Sequence, residues 1–276
     1  VNLPPSVGTS SMNVNFGQLN NKGLDLSLSA QIIRNKDWFW SVTLTGGHVM
    51  DQIRKISEGL KNDIDNPYDS SKPKILFVEG GSQYDIYAMR SAGIDPATGK
   101  EIFIKKNGEY TFNYDEKERV AVGNTNPILQ GSLMNTLRYK GFSISVATSY
   151  TFGSDYFNST LKNKVENIDL NYNVDRRVFT DRWKEPGDHT RFLGIGTSSS
   201  SSQYSERFVE KRNELYISSI QVMYDFAPKA ITRLGLRKLA IGFGLSDIAH
   251  ISTVKFERGT EYPYCRGINL IFRPTF

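Results

Sequence analysis

The segment from Phe142 to Phe152 constrains the fold most. Phe142, Ile144, Val146, Tyr150 and Phe152 fall on one face of a strand, and Ser143, Ser145, Ala147, Ser149 and Thr151 on the other; only Thr148 breaks the apolar row. The two-residue turn Lys140-Gly141 joins this strand to an earlier one, in which Leu129, Leu133, Leu137 and Tyr139 share a face with Gly131 and Asn135. One face of the hairpin is apolar and tipped with aromatics, and the other is small and polar. A sheet in water packs such an apolar face against a second layer. An outer-membrane barrel turns it to lipid and keeps the polar face for a wet lumen.

The pattern recurs along the chain. Leu24, Leu26, Leu28, Ala30 and Ile32 alternate with Asp25, Ser27, Ser29 and Gln31, after an irregular step at Asn20-Asn21-Lys22-Gly23. Past the turn Asn35-Lys36-Asp37, the residues Trp38, Trp40, Val42 and Leu44 share a face. Near the end, Tyr216, Ile220, Val222, Tyr224 and Phe226 form one row, Leu239, Ile241, Phe243 and Leu245 another, and Ile268, Leu270 and Phe272 a third. Shorter strand signals lie near Tyr84–Met89 and Glu101–Lys105, and Ile53–Leu60 has the look of a short helix. The total is about nine strands. Short connections (Asn35–Asp37, Asp95–Gly99, Lys140-Gly141, Ala227–Arg233) alternate with long polar ones near 51–82, 107–128, 153–213 and 247–261. Barrels of the outer membrane have short periplasmic turns and long outer loops. This sidedness puts the C-terminus in the periplasm and the Ser198–Ser202 run outside. Trp38, Trp40, Phe142, Ile144, Val146, Tyr150 and Phe152 become the membrane-facing set, with the two tryptophans at the interface.

Composition removes other classes. The 276-residue chain is 38% hydrophobic, with a mean hydropathy of −0.42. No stretch nears the roughly 18 consecutive apolar residues of a spanning helix. The net charge of +5 comes from 34 basic and 29 acidic side chains spread along the chain, without a basic, aromatic-laced run, so no nucleic-acid partner is expected. Cys265 stands alone. His48, His189 and His250 lack a zinc spacing. Gly242-Phe243-Gly244 and Gly194-Ile195-Gly196 lack the strand–helix setting of a phosphate loop. Asp181 and Asp188 flank a proline loop without a general acid. No enzyme activity, metal centre or cofactor is expected. The opening Val1-Asn2-Leu3-Pro4-Pro5 has no signal-peptide character, which fits a cytoplasmic chain, a mature one, or a piece of a longer one.

Two segments suggest ligand contact. Asn167, Asp169, Asn171 and Asn173 place amides and carboxylates at every second position, suited to a polar ligand in the lumen or, through the same oxygens, to a loop calcium. Tyr110, Phe112 and Tyr114 alternate likewise and could stack on sugar rings.

Several motifs in order carry a resemblance: the stretch from Asn15 to Leu26 with its Asn21-Lys22-Gly23 step; Gly93-Ile94-Asp95 through Thr98-Gly99; Gly123-Asn124-Thr125-Asn126-Pro127; Asn135–Phe142; Asp181-Arg182-Trp183 through Pro186-Gly187-Asp188; and Phe208-Val209-Glu210. Together they resemble the C-terminal barrel of SusC/RagA-like TonB-dependent outer-membrane transporters of Bacteroidetes. The resemblance covers about 13–272. It implies an all-β chain that supplies the C-terminal portion of a large transmembrane β-barrel with long extracellular loops, 1–276 being barrel with plug domain and N-terminal strands absent. It also implies a location in the cell outer membrane, TonB energy delivered through the missing N-terminal part, a SusD-like lipoprotein over the loops, and oligosaccharide or peptide cargo. A plugged transporter closes with about 22 strands, and an open sheet edge in lipid is forbidden, so the remaining strands and plug are partners, as is lipid. Family members end on an aromatic read by the assembly machinery. Phe272 fits that role, as does Phe276 after the irregular step Arg273-Pro274-Thr275. Two other readings use the same alternation: a soluble all-β carbohydrate-binding module, such as a lectin-like sandwich, and a nonfunctional barrel remnant.

Overall fold

A computed structural model describes residues 17–57, 77–169, 171–196, 204–232, 235–255 and 266–276. The chain divides into two compact units: one holds the described parts of 23–49, 126–168 and 209–276, the other those of 1–22, 50–125 and 169–208.

The first unit is built on an antiparallel sheet of β1 (Gly17–Arg34), β2 (Trp38–Ile56), β8 (Leu129–Tyr139), β9 (Phe142–Phe157), β10 (Val209–Asp225), β11 (Lys238–Ser252) and β12 (Gly267–Thr275), in that order across the sheet. Each strand lies beside the one that precedes it in the wall, so the topology is a meander. The turns β1–β2, β8–β9 and β10–β11 lie at one end of the sheet, and the long connections leave from the other.

Local chemistry sets the short turns. The Asn35 side-chain oxygen accepts from the Asp37 and Trp38 amides at 3.1 and 2.7 Å. In the β8–β9 turn the left-handed position, usually a glycine, is taken by Lys140 (φ 51°). The glycine is needed next door, because a Cβ on Gly141 would sit 2.7 Å from the Asp225 carbonyl oxygen.

Cross-strand pairing sorts the side chains cleanly. Trp40 faces Leu137, Leu137 faces Ile144, Ile144 faces Val222, Val222 faces Phe243 and Phe243 faces Leu270. The opposite surface carries the matching polar row Ser41, Thr136, Ser145, Gln221, Gly244 and Asn269. One row departs from the expected phase. A bulge at Ser218 shifts β10 by one residue, so Leu215 and Ile217 join the apolar face, while Tyr216 turns to the polar side opposite Ser149.

The second unit holds smaller sheets: β3 (Asp85–Ala88) with β7 (Val120–Asn124), and β4 (Arg90–Ile94) with β5 (Glu101–Ile104) and β6 (Tyr110–Thr111). The strand signals near 84–89 and 101–105 are therefore real, yet they lie outside the seven-stranded wall, and the Asp95–Gly99 turn belongs to this unit. The segment from Ile53 is not helical, since β2 runs to Ile56. Ala88, Met89, Val178, Phe192 and Phe208 form the buried centre of this unit.

Candidate functional site: an exposed apolar sheet face and a tied loop unit

The seven-stranded sheet leaves its apolar face uncovered. Phe142 is 54% exposed, Phe243 43% and Leu270 80%. A close-packed sandwich buries such residues; here they stay exposed in a row that runs across the paired strands. Trp38, Trp40, Ile144, Val146, Tyr150 and Phe152 lie on it with Phe142. Leu24, Leu26, Leu28 and Ile32 of β1 are also exposed, and Ser29, in the alternate row, bonds Thr43 on the polar side at 3.1 Å.

Polar atoms on this face are answered within it. The Trp40 indole donates to the Asn135 side-chain oxygen at 2.7 Å. Tyr150 lies across the glycine pair Gly46 and Gly131, and its hydroxyl donates to the Thr45 carbonyl at 2.7 Å. A Cβ on Gly131 would clash with that carbonyl and come within 2.6 Å of the Tyr150 hydroxyl. Gly131→Val should therefore weaken the β2–β8 pairing, seen as a smaller folded, heat-modifiable band. Adding Tyr150→Phe should not restore it, because the backbone clash remains; full restoration would show that the hydroxyl alone sets the limit.

The aromatics gather at the short-turn end. Trp38 and Tyr139 rings lie 4.2 Å apart, Phe142 and Tyr224 4.5 Å, and Tyr224 and Phe226 4.9 Å. At the C-terminal edge, β12 does not stop at Phe272. Pairing continues through Pro274 opposite Leu239 to Thr275 opposite Lys238. An edge strand tolerates the missing proline amide. The Arg273-Pro274-Thr275 step is thus regular strand, and it leads directly to Phe276, in phase with Phe272 and 81% exposed.

In the loop unit, two of the resemblance motifs meet. The Trp183 indole and the Gly187 amide both donate to the Pro96 carbonyl, at 2.8 and 2.9 Å, and the Gly194 amide donates to that of Gly99 at 3.2 Å. Gly99 has φ 68° and lies against the Trp183 ring, leaving no room for a side chain. The Asp95 carboxyl is held below the usual carboxylate range by the Thr98 hydroxyl and then the Ala97 amide. The motifs are scaffolding for this loop.

A buried ion pair ties the same unit. Arg207 Nη2 donates to Glu101 Oε2 at 2.7 Å, with the two side chains 7% and 5% exposed. The Ser205 hydroxyl bonds the other Glu101 oxygen, and Arg207 also donates to the Arg191 carbonyl at 2.6 Å. Sequence pattern carries no sign of this pair, whose members are separated by 106 positions.

The candidate ligand residues separate. Tyr114 is half-buried beside Phe103, their rings edge to face at 5.6 Å, and burial pushes its hydroxyl up to about 12. Tyr110 and Phe112 are exposed and line an open hollow of about 420 Å³ with Ala92 and Ile102. The row at 167–173 is not a strand. The Asn167 amide closes a helical turn on Lys162, and the Asp169 carboxylate already accepts from the amide and side chain of Asn171 at 2.9 and 2.8 Å. Asn173 lies beyond in irregular chain. Among the described residues no group of three or more His, Cys, Asp and Glu converges on a metal site. The Ser198–Ser202 run and Cys265 lie outside the described residues.

No family model matches the chain. In sequence it is similar to TonB-dependent receptor P39 of Formosa agariphila, 24% identical over 90% of this chain and 28% of that protein, and to TonB-dependent receptor P3 of the same organism, 25% identical over 58% and 17%. The chain thus spans less than a third of the curated relatives it matches. In fold it is similar to the RagAB peptide transporter (TM-score 0.71, 19% identity, 92% of this chain and 28% of that chain) and to the RagAB peptide importer in its closed-closed state (TM-score 0.72, 21% identity, 93% and 28%). The resemblance to SusC/RagA-like TonB-dependent transporters, first carried by short motifs, therefore holds in both sequence and fold.

Proposed function

We propose that this chain supplies C-terminal wall strands and surface loops to an outer-membrane importer. The observation that carries the reading is the sheet itself: one continuous exposed apolar face, one small polar face, short turns at one end and long connections at the other. The apolar face meets lipid and the polar face lines the lumen. Both edge strands, β1 and β12, need neighbours in lipid, so further strands and a plug complete the wall. By analogy with the relatives, uptake is driven through TonB, a SusD-like lipoprotein works over the loops, and the cargo is a peptide or an oligosaccharide. Tyr110 and Phe112, exposed aromatics of the loop unit, are the side chains assigned to cargo contact. The reading requires neither catalysis nor a cofactor.

Sidedness tests it. In the full-length protein with Cys265→Ser, single cysteines replace Asn107, in the β5–β6 connection, or Lys229, in the β10–β11 turn; both positions are exposed. An impermeant maleimide applied to whole cells should label 107 and spare 229, with 229 labelled after the outer membrane is opened. Labelling of 229 alone on intact cells would reverse the topology. A soluble, detergent-independent monomer would remove the membrane reading.

A further inference from the structure

The chain's positive charge is not spread in space as it is in sequence. Residues 34–37, 138–141, 225–232, 235–238 and 273–276 contain eight of the 34 Lys and Arg but only two of the 29 Asp and Glu. Taking these away leaves 26 basic against 27 acidic side chains, so the whole excess of +5 belongs to these segments. They are far apart in the chain, yet the sheet brings all of them to its short-turn end. Backbone hydrogen bonds lace them into one rim: Lys140 amide to Asp37 carbonyl, Asp225 amide to Gly141 carbonyl and Arg237 amide to Thr275 carbonyl, each 2.8 Å. Lys36, Lys140, Lys229 and Arg237 are exposed there, and no ion pair among the described residues takes up their charge.

Directly above this rim on the apolar face lie the rings of Trp38, Tyr139, Phe142 and Tyr224, with the Lys140 ammonium 5.2 Å from the Tyr139 ring centre. Amphipathic rings of this kind settle at headgroup depth. Cations one turn beyond them are then level with lipid phosphates. Resting on the membrane reading above, we infer that the short-turn rim is a docking surface for anionic phospholipid headgroups in the leaflet the turns face. The recognised group is the phosphodiester with its net negative charge. A basic residue near an anionic lipid surface strengthens association about fivefold. Screening restricts the effect to roughly 8–10 Å at physiological salt, a distance that Lys36, Lys140 and Lys229 can reach from the turns.

The test uses the full-length protein, purified in detergent and mixed with phosphatidylglycerol and phosphatidylcholine in equal amounts, with retained lipid counted by native mass spectrometry. A rim variant carries Lys36→Gln, Lys140→Asn, Lys229→Gln and Arg237→Gln, asparagine being tolerated at the left-handed φ of 140. A control variant removes the same charge elsewhere, through Lys100→Gln, Lys117→Gln, Lys164→Gln and Lys184→Gln. The unmodified protein and the control should retain phosphatidylglycerol preferentially, and the rim variant should lose that preference by roughly tenfold or more. Equal loss in rim and control variants overturns the inference, as does a folded protein that prefers neither lipid. So does crosslinking of Lys140 to an acidic protein with no lipid preference, which would assign the rim to a protein partner. Absence of any heat-modifiable band in the unmodified protein overturns the membrane reading and the inference together.

Discussion

Arginine at position 144 should reduce the folded, heat-modifiable transporter in the outer membrane, while arginine at position 145 should leave it largely in place. Ile144 is the third residue of β9, one step inward from Phe142 on the apolar face between Leu137 and Val222, and Ser145 sits on the polar face between Thr136 and Gln221. A guanidinium on the lipid face of a barrel costs about 2–4 kcal/mol at the bilayer midplane and about 0–1 kcal/mol near the interfaces, and this position lies between the two. On the lumen face it keeps its water. A close-packed core would also reject arginine at 144, so Ile144→Trp is the sharper companion. A lipid-facing site, already 39% exposed here, has open space for the larger ring. A packed core should lose about 1–3 kcal/mol to overcrowding. Loss of the folded band with tryptophan at 144, together with a harmless arginine at 145, would favour a soluble sandwich.

The second large effect belongs to the buried pair of the loop unit. Arg207→Met leaves the Glu101 carboxylate nine-tenths or more buried, with the Ser205 hydroxyl in place of its cation. Breaking one side of such a pair costs about 3–5 kcal/mol. The expected signature is fast hydrogen exchange across β4 and β5 and in 204–208 of the assembled protein, with β9 and β10 unchanged. Glu101→Leu should do the same. The double variant Glu101→Leu/Arg207→Met should recover much of the protection, because no buried charge is left alone. If the double variant exchanges as fast as either single one, the pair acts through its hydrogen-bond geometry and not through charge compensation.

The wall was legible because strand alternation is a local property. The face of Phe142–Phe152 follows from residues two apart, and the pairing with Leu129–Tyr139 follows from a two-residue turn. The limits have equally physical causes. Alternation reports that Tyr84–Met89 and Glu101–Lys105 are extended, but not which sheet their edges join; they pair with β7 and β6. A helical period and a strand period cannot be separated over the few residues after Ile53, where β2 simply continues. The bulge at Ser218 shifts the phase within one strand, so Tyr216 falls on the face opposite to the one its spacing suggests. A row of polar residues is a surface only if the backbone is extended, and at 167–173 the Asp169 carboxylate bends it instead. The Glu101–Arg207 pair joins positions 106 apart, and the basic rim joins segments tens to a hundred positions apart, which no local pattern encodes.

The Trp40–Asn135 hydrogen bond distinguishes arrangements that hydrophobic alternation treats as equal. Sliding β2 past β8 by one residue turns every side chain to the wrong face, and the apolar pattern alone rejects that error. Sliding by two keeps every side chain on its proper face, so the pattern is silent. In the sense that sets Leu44 opposite Asn135, however, that displacement carries the indole two residues further off and leaves the amide unanswered beside Leu44 and Val146. An unanswered amide on an apolar surface is costly wherever water is absent. One polar residue on the oily side thus serves as a proofreading mark, letting the assembling wall discard the misalignment that its own periodicity would accept.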